Sequence, residues 1–504
     1  MIIILEIHGI KGFYKSDDRI IESDVRHYYA WIPSILVYKD ISLSFLDINP
    51  DKNKDHFITV DRTPDGKLYF KTTMGVALLQ LPFILPVHYF LELTGNEADG
   101  FSMPYRIALI IGSLFYYFMG LFIIRFLVVK RMKLSDKISA LTILLIGLGT
   151  NIVIYVAREP ALSHVYSFFT IGLFLLITDK FYRNPKWING ALMGIVFGII
   201  TLIRPINLIV GLIPVLWGVT NYSDIKGRVL LFWKKPGVLL MIILGFIVIW
   251  TPQLMYNLYL YGNLTFHGYG TGDERFFFSN PQIINNLFSY RKGWFLYTPA
   301  MVLAVLGFIS LYRNFRSMFW SILAILVILI YINSSWYSWW FGGSYGQRAY
   351  IDIYALLALP IAALLNYGFS KGLKLKIPIL IIVFLLVFHN MFQVAQYMNG
   401  AIHYMSMTKA AYWDSFGKLY PSNKFKAYIE DPDYELAKKG IYPKPKKKIE
   451  TRQEWIEFLE TDIRTNEKAM KFFSDKAKEA NLPLDTVIKQ DVIYIYETSY
   501  ANQE

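Results

Sequence analysis

The sequence predicts an all-α polytopic membrane protein, and three observations support this fold class. Hydrophobic residues make up 54% of the 504 residues and charged residues only 18%, whereas about 25% of the residues of a soluble protein are charged. Several apolar runs approach the ~20 residues that a helix needs to cross the hydrocarbon core of a bilayer. Basic segments recur between pairs of these runs, which is the arrangement expected of cytoplasmic loops.

Ten apolar runs are counted as membrane spans, because short helices are tolerated in a tight bundle. They lie near 105–129, 138–157, 160–178, 188–203, 205–219, 237–258, 295–311, 319–333, 349–366 and 377–394. Residues 1–10 add half a span, and a complete helix there needs about ten more residues. We expect either further sequence before residue 1 or a short stub at the membrane interface. The pattern predicts about 11 transmembrane helices.

Residues 74–94 are also apolar, but they contain two prolines and a histidine. Counting this stretch as a span would put the acidic segment 94–106 on the cytoplasmic side and the basic segment 130–137 outside, against the positive-inside rule. We therefore expect a helix that lies in, or dips into, the outer interface of the membrane.

The strongly basic loops fall on one side of this arrangement, which we assign to the cytoplasm. They are 130–137, 225–236, 312–316 and 371–376. The periplasmic side then holds a first loop over 11–104 with interfacial helices, a later loop over 259–294, and the tail. The chain divides into a transmembrane domain over 1–394 and a periplasmic C-terminal domain over 395–504.

The C-terminal domain is expected to be small and mostly helical. Residues 454–480 place Trp455, Phe458 and Ile463 at helical spacing. Residues 482–497 end in the alternating apolar pattern of a β-strand. Nothing in this domain indicates chemistry.

Composition argues against several functions. The formal net charge is +13, but membrane proteins collect lysine and arginine in cytoplasmic loops. The excess therefore does not indicate a nucleic-acid partner. The chain contains no cysteine, which excludes disulfides, thiol catalysis and cysteine-bound metals.

The stretch SDVRHYYAW places Asp24 where the chain is expected to leave the membrane. Arg26 supplies a cation for phosphate, and Tyr28 is one of several rings that suit the headgroup layer. Lys71 stands at the entrance to the predicted interfacial helix. It either snorkels without a function or meets a phosphate together with backbone N–H groups.

Three further candidates lie in or beside predicted spans. Glu159 occupies a tight outer turn, and His164 lies one turn into the next span. Such a pair is costly at a membrane-buried helix start unless it is used. Arg204 falls between two short apolar runs, where insertion costs ~2.5–3.5 kcal/mol. It requires an anionic partner from the protein or from a ligand.

The segment NSSWYSWWFGGSYGQRAYIDIY, residues 333–354, is the densest cluster of candidates. Trp340 suits either the interface or stacking on a sugar ring, and Arg348 stands at an outer helix start. Arg291 and Lys292, in SYRKGW, are interpreted as solvated loop charges. Cations at headgroup depth suit a departing phosphate, and a carboxylate there suits proton transfer from a hydroxyl.

With these residues in this order, the chain resembles the C-type (GT-C) glycosyltransferases, in particular the protein O-mannosyltransferase and lipid A aminoarabinose transferase group. Asp24 matches the acid that follows the first helix of those enzymes. Lys71 matches the lysine that opens their interfacial helix, although the accompanying prolines are absent. Glu159 resembles the acid of their second outer loop, and Arg204 matches a lysine between their fifth and sixth helices. The similarity covers roughly residues 1–394.

The resemblance implies a GT-C-like bundle that transfers a sugar from a polyprenyl-phosphate donor to a lipid, glycan or protein acceptor. The reaction is one inverting displacement on the periplasmic face of a bacterial inner membrane. Asp24 is then the general base or acceptor positioner, and Glu159 orients a cation or the acceptor. The implied phosphate- and substrate-binding set is Arg26, Tyr28, Lys71, His164, Arg204, Trp340 and Arg348. No organic cofactor is implied, and the spacing of the carboxylates leaves a divalent metal open.

Two alternatives remain open at this stage. A flippase or transporter for polyprenyl-linked glycans would also be multi-spanning and cationic, but transporters usually show internal repeats and broken midplane helices, and no repeat is found. An O-antigen polymerase or ligase would carry its key arginines in a late outer loop, and SYRKGW keeps that alternative open.

Overall fold

A computed structural model describes residues 20–22, 24–48, 61–63, 65–264, 274–443 and 451–499. Helices account for most of these residues, as predicted for an all-α protein. The β-structure among them is a short antiparallel hairpin of β1, Asp61–Arg62, and β2, Leu68–Tyr69, and one isolated bridge between Phe276 and Trp336. The predicted half span at 1–10 lies outside the described residues.

The helices are numbered in chain order. The first half contains α1 Asp24–Tyr29, α2 Trp31–Leu36, α3 Phe45–Ile48, α4 Gly75–Leu93, α5 Met103–Phe126 with a π-helical extension Leu127–Arg131, α6 Asp136–Leu148, α7 Ile152–Ala157, α8 Ser163–Arg183, α9 Trp187–Ile203, a 3-10 helix Pro205–Gly211, α10 Leu212–Leu216, α11 Tyr222–Lys234 and α12 Pro236–Tyr261. The second half contains α13 Ile283–Phe288, α14 Trp294–Tyr297, α15 Ala300–Asn314, α16 Arg316–Ser335, a 3-10 helix Arg348–Ile353, α17 Tyr354–Ser370, α18 Leu373–Met398, α19 Lys409–Ser415, α20 Phe425–Tyr428, α21 Tyr434–Lys438, α22 Arg452–Thr465, α23 Glu467–Ala480 and α24 Leu484–Ser499.

Seven helical segments among the described residues are long and apolar enough to cross a membrane. They are Gly75–Leu93, Met103–Arg131, Ser163–Arg183, Pro236–Tyr261, Arg316–Ser335, Arg348–Ser370 and Leu373–Met398. Shorter apolar helices cover Trp187–Ile203, Pro205–Leu216 and Ala300–Asn314. This pattern is consistent with the predicted multi-pass membrane protein. The total of about 11 spans stays a prediction.

The segment predicted as one span at 138–157 is broken into α6 and α7. The side-chain amide of Asn390, in α18, donates to the carbonyl of Leu148 at 2.7 Å and to that of Thr150 at 2.9 Å. These bonds satisfy backbone acceptors at the break, and irregular backbone within a bundle needs such partners.

Helix α4 has the length and composition of a span, but it packs antiparallel to the first half of α5. The Tyr116 hydroxyl donates to the Leu79 carbonyl at 2.8 Å. Near the end of α4 and the start of α5, the His88 ring nitrogen Nδ1 and the Tyr105 hydroxyl are hydrogen bonded at 2.7 Å. The predicted interfacial placement of this helix stays a prediction.

Glycines allow two of the closest helix contacts. A Cβ on Gly75, at the start of α4, would lie 2.2 Å from the carbonyl carbon of Leu202 near the end of α9. A Cβ on Gly194, in α9, would lie 2.0 Å from the carbonyl oxygen of Ile242 in α12. Backbones approach this closely only where small residues stand at the contact.

The tail is mostly helical, as predicted, and it has two parts. Residues 401–443 pack on the main core through side chains that include Tyr412 and Tyr428. Helices α22, α23 and α24 form a unit with its own apolar core. The ring of Trp455, in α22, lies 5.8 Å from that of Tyr428 and joins the two parts.

The strand predicted within 482–497 is wrong, because α24 is a helix there. Val487, Ile488 and Val492 are buried at helical spacing, whereas Tyr494 is 67% exposed. Short apolar runs are ambiguous between strand and helix in sequence. Packing against α22 and α23 selects the helix.

Candidate active site

A cavity of about 570 Å³ lies between four stretches of chain, 20–25, 158–162, 342–348 and 397–404. Its charged or titratable lining residues are Glu22, Asp24, Arg158, Glu159, Arg348, Tyr397, His403 and Tyr404. Three residues predicted from the sequence, Asp24, Glu159 and Arg348, therefore meet at one place.

Asp24, the first residue of α1, faces Arg348, the first residue of the second 3-10 helix. Arg348 Nη2 donates to Asp24 Oδ2 at 2.7 Å. The side chain of Asp24 is 51% exposed and that of Arg348 is 15% exposed. The guanidinium charge holds the pKa of the Asp24 carboxyl below its usual value. Asp24 is therefore ionised at neutral pH and accessible from solvent.

Glu159 lies in the turn between α7 and α8. Burial raises the pKa of its carboxyl, although the guanidinium groups of Arg348 and Arg158 act in the opposite direction. The Arg158 guanidinium lies over the ring of Tyr397, 5.2 Å from its centroid. Two of the carboxyl groups that line the cavity, those of Asp24 and Glu159, thus have pKa values shifted in opposite directions, which suits a division into base and acid roles.

The 3-10 helix Arg348–Ile353 presents Arg348 to the cavity and Asp352 to the protein interior. Asp352 Oδ1 is hydrogen bonded to His164 Nδ1 at 2.8 Å, and Asp352 Oδ2 accepts from Arg204 Nη1 at 2.9 Å. The side chains of Asp352 and His164 are only 2% and 5% exposed. This buried network fixes the 3-10 helix and, with it, the position of Arg348.

His164 and Arg204 were both predicted to bind phosphate, but neither lines the cavity. Their shared protein partner, Asp352, was not predicted from the sequence. The available signal was that an arginine at membrane depth requires an anionic partner. Asp352 is the acidic residue within the predicted span 349–366.

Lys292 is buried behind the cavity wall, with 1% of its surface exposed. Its ammonium group donates to the carbonyl and hydroxyl oxygens of Ser344 and to the carbonyl of Tyr404. Burial lowers the pKa of Lys292 well below its usual value. Because Gly343 and Tyr404 both line the cavity, Lys292 ties together two of its walls.

Arg291 has a similar structural position. Its Nη1 donates to the carbonyl of Met405 at 3.1 Å and to that of Glu430 at 2.8 Å. The interpretation of Arg291 and Lys292 as solvated loop charges is therefore wrong. Both side chains donate hydrogen bonds to backbone carbonyl oxygens, and these bonds connect the tail to the bundle.

Two predicted substrate-binding residues of α1 lie outside the cavity lining. Arg26 Nε donates to the carbonyl of Ile21 at 3.0 Å. Tyr28 is 8% exposed and belongs to the main apolar core. Helix α1 therefore directs Asp24 to the cavity and these two side chains elsewhere.

Lys71 and Trp340 also lie outside the cavity lining. The Lys71 ammonium is 3.6 Å from the Glu274 carboxylate. Trp340 is 3% exposed, and its Nε1 donates to the Tyr434 hydroxyl at 3.2 Å. The tryptophan packs against the tail and not against the cavity.

Among the residues that the structure describes, no three or more histidine, aspartate or glutamate side chains are placed to hold a metal ion. Glu22, Asp24 and Glu159 share the cavity without converging on one ion position.

Neither a scan of the chain against protein-family models nor a search of curated proteins finds a match.

Proposed function

We propose that the protein is a glycosyltransferase that moves a sugar from a polyprenyl-phosphate-linked donor to an acceptor of the cell envelope. The observation that carries the proposal is the Asp24–Arg348 pair at a cavity that Glu159 also lines. An ionised and accessible carboxylate beside fixed cations provides the two groups that displacement from a sugar phosphate requires.

In the proposed reaction, the oxygen of an acceptor hydroxyl bonds to the anomeric carbon of the sugar. The bond from that carbon to the phosphate oxygen breaks, and polyprenyl phosphate leaves with the bonding electrons. The hydroxyl proton passes to Asp24. A single displacement of this kind inverts the configuration of the sugar. Arg348 and Arg158 offset the negative charge on the departing phosphate.

Glu159 is assigned to orienting the acceptor. Its raised pKa increases the protonated fraction of the carboxyl, and a protonated carboxyl donates a hydrogen bond. Asp24 accepts a proton while Glu159 donates a hydrogen bond, so that the two acids act on the same hydroxyl-bearing substrate.

The remaining predicted cations receive other assignments. His164 and Arg204 act as positioning residues, because both bind Asp352 on the helix that carries Arg348. Lys71 lies 3.6 Å from the Glu274 carboxylate and is not assigned to phosphate.

The proposal includes the predicted topology of about 11 spans in a bacterial inner membrane, with the cavity and the C-terminal domain on the periplasmic side. Its support is the repeated position of the basic loops between pairs of spans. The cavity is bordered by segments 20–25, 158–162, 342–348 and 397–404. In the predicted topology, each of these segments lies in an outer loop or at the outer end of a span, on the side opposite to the basic loops.

The polymerase or ligase alternative is less well supported. It requires arginine or lysine side chains of a late outer loop to act on a substrate. Arg291 and Lys292 instead donate to backbone carbonyl groups.

The proposal is tested by incubating the purified protein with a panel of polyprenyl-phosphate sugars and lipid, glycan and peptide acceptors. We expect release of free polyprenyl phosphate with one donor, dependent on one class of acceptor, and loss of that release in the Asp24→Asn variant. Transport of an intact lipid-linked glycan across vesicles without any release would contradict the proposal.

A further inference from the structure

Helix α11 is a surface element, and none of its residues is buried. Its start is fixed by a capping box: the Asn221 side chain accepts from the Asp224 backbone N–H, and the Asp224 carboxylate accepts from the Asn221 backbone N–H. Such a cap stabilises a helix end locally. The helix is therefore well defined although it adds nothing to the core.

One face of α11 docks on the protein. The Arg228 guanidinium lies over the Tyr182 ring, 3.3 Å from its centroid. The Phe232 ring stacks on that of Phe181, with centroids 6.1 Å apart. These contacts use positions i and i+4 of the helix and fix its rotation about its own axis.

A second face is apolar and exposed. Tyr222, Ile225, Val229 and Trp233 recur at helical spacing and are 71%, 37%, 66% and 83% exposed. Residues at this spacing form one stripe along a helix. The stripe adjoins the docking face at Ile225, which is seven residues before Phe232, and it turns away from that face at Tyr222, Val229 and Trp233.

The charge beside this stripe is positive. Lys226, Lys234 and Lys235 are exposed around it, whereas the acidic residue of the helix, Asp224, is used in the cap. Lys226 Nζ lies 5.1 Å from the centroid of the Tyr222 ring, so its alkyl chain covers part of the apolar stripe.

The stripe of α11 continues into an exposed apolar surface of the next helix, α12. Helix α12 starts at Pro236, directly after α11, and it has the length and composition of a span. Leu239, Leu240 and Ile243, in its first two turns, are exposed by 41%, 55% and 46%. The chain therefore turns from the stripe of α11 into an exposed apolar face of α12.

We infer that α11 lies in the surface of the membrane and binds anionic lipid headgroups. The stripe enters the boundary between headgroups and acyl chains, and the lysines contact lipid phosphates. The side of the helix that carries Gly227, opposite Val229, is exposed and faces water. The inference does not depend on the proposed transferase activity.

The absence of cysteine from the chain allows a direct test on the full-length protein. Val229→Cys, on the stripe, and Gly227→Cys, on the water face, are each labelled with a bimane fluorophore. The labelled proteins are reconstituted into phosphatidylcholine vesicles that contain a spin-labelled quencher lipid, with or without phosphatidylglycerol. Both positions are exposed, and a Cβ on Gly227 meets nothing within 4 Å, so neither label disturbs packing.

We expect several-fold stronger quenching at position 229 than at position 227, and a further increase at position 229 with phosphatidylglycerol. Each lysine near an anionic surface favours the bound state by about fivefold. Adding Lys226→Gln and Lys234→Gln to the Val229→Cys protein should therefore remove most of that increase. Equal quenching at both positions, or no effect of phosphatidylglycerol, would overturn the inference. Shielding of position 229 from both lipid and water by a second copy of the chain would also overturn it.

Discussion

Asp24 and Arg348 are hydrogen bonded at 2.7 Å although 324 residues separate them in the chain. The pair joins α1 to the 3-10 helix that precedes α17, and so it closes one side of the cavity. Because Asp24 is half exposed and Arg348 is largely buried, the pair keeps a carboxylate accessible and a cation fixed at the same point. The proposed reaction depends most directly on this arrangement.

Asp24→Asn should lower turnover at least about a hundredfold, since a general base typically contributes 10²–10⁴-fold to a rate. Asparagine has nearly the same shape and still accepts a hydrogen bond from Arg348. We therefore expect little change in donor-lipid binding or in the thermal midpoint. The measurement is the rate of polyprenyl phosphate release, with the thermal midpoint determined on the same preparation.

Asp65→Asn is the matched control for this prediction. Asp65 lies in the same predicted loop, and its side chain is 60% exposed. This variant should retain wild-type turnover. Unchanged turnover in Asp24→Asn, or an equal loss in Asp65→Asn, would remove Asp24 from the proposed role of base.

Much of the helical architecture is predictable from the sequence, because the length of an apolar run sets the length of a span. Asp24, Glu159 and Arg348 were also predicted individually, since each charged residue stands at the edge of an apolar run. Their meeting at one cavity has no local signal. No periodicity connects residues 324 positions apart, and only the packing of the helices brings them together.

The features that were missed depend on burial of charge. The loop that carries Lys292 has the sequence of a solvated segment. In the structure, however, the ammonium group of Lys292 is buried and donates a hydrogen bond to the Ser344 hydroxyl. Asp352 binds partners that are 148 and 188 residues away. Sequence indicates that a buried charge needs a partner, but it does not identify the partner without the fold.

Arg204→Leu should destabilise the protein, because it leaves the buried carboxylate of Asp352 without its guanidinium partner. Breaking a buried ion pair by removing one member costs about 3–5 kcal/mol. Part of that loss is offset here by His164, which remains hydrogen bonded to Asp352. The measurement is the free energy of unfolding in detergent, from a denaturant titration.

The double variant Arg204→Leu with Asp352→Asn should recover much of this stability, since no unpaired charge remains buried. Arg313→Leu, at an exposed position, controls for loss of an arginine. If the single Arg204→Leu variant is as stable as wild type but fails to bind donor lipid, the earlier prediction of a phosphate-binding arginine is favoured instead.

Glu159→Gln should change how stability depends on pH. Burial raises the folded-state pKa of Glu159 above its usual value of 4.5, so the folded protein holds this proton more tightly than the unfolded chain does. The resulting stabilisation is complete below about pH 4.5 and is lost as the pH rises through the folded-state pKa. Glutamine stays neutral throughout. The thermal midpoint of the variant should therefore exceed that of wild type at neutral pH, and the difference should shrink toward pH 4.5.

Glu435→Gln is the control for this pH dependence, because the Glu435 side chain is 77% exposed. Its thermal midpoint should follow that of wild type across the same range. A difference between Glu159→Gln and wild type that stays constant with pH would show that the carboxyl does not titrate in this window.

Lys292→Met should loosen two cavity walls at once. Methionine fills similar space, but it leaves the buried Ser344 carbonyl without this donor, whereas the Tyr404 carbonyl keeps a hydrogen bond from the Ser344 N–H. An unsatisfied buried acceptor costs about 1–3 kcal/mol. We expect faster hydrogen exchange at 342–346 and 403–404, together with a lower thermal midpoint.

Lys409→Met, at an exposed position of the tail, is the control for Lys292→Met and should change neither measurement. If Lys292→Met raises exchange evenly over the whole bundle and not first at the two walls, Lys292 contributes general stability and does not tie those walls together.

The orientation of the chain in the membrane gives a final prediction. Lys137 lies in the basic loop 130–137 and Lys409 lies in the tail, and both are exposed. By the positive-inside rule we expect the basic loop to face the cytoplasm, and the tail and the cavity beside it to face the periplasm. Because the chain contains no cysteine, Lys137→Cys and Lys409→Cys each provide a single site for a maleimide that does not cross the inner membrane.

Lys409→Cys should be labelled in intact cells, and Lys137→Cys only after the inner membrane is permeabilised. The reverse pattern would place Asp24 on the cytoplasmic side, where the proposed acceptors of the cell envelope are absent.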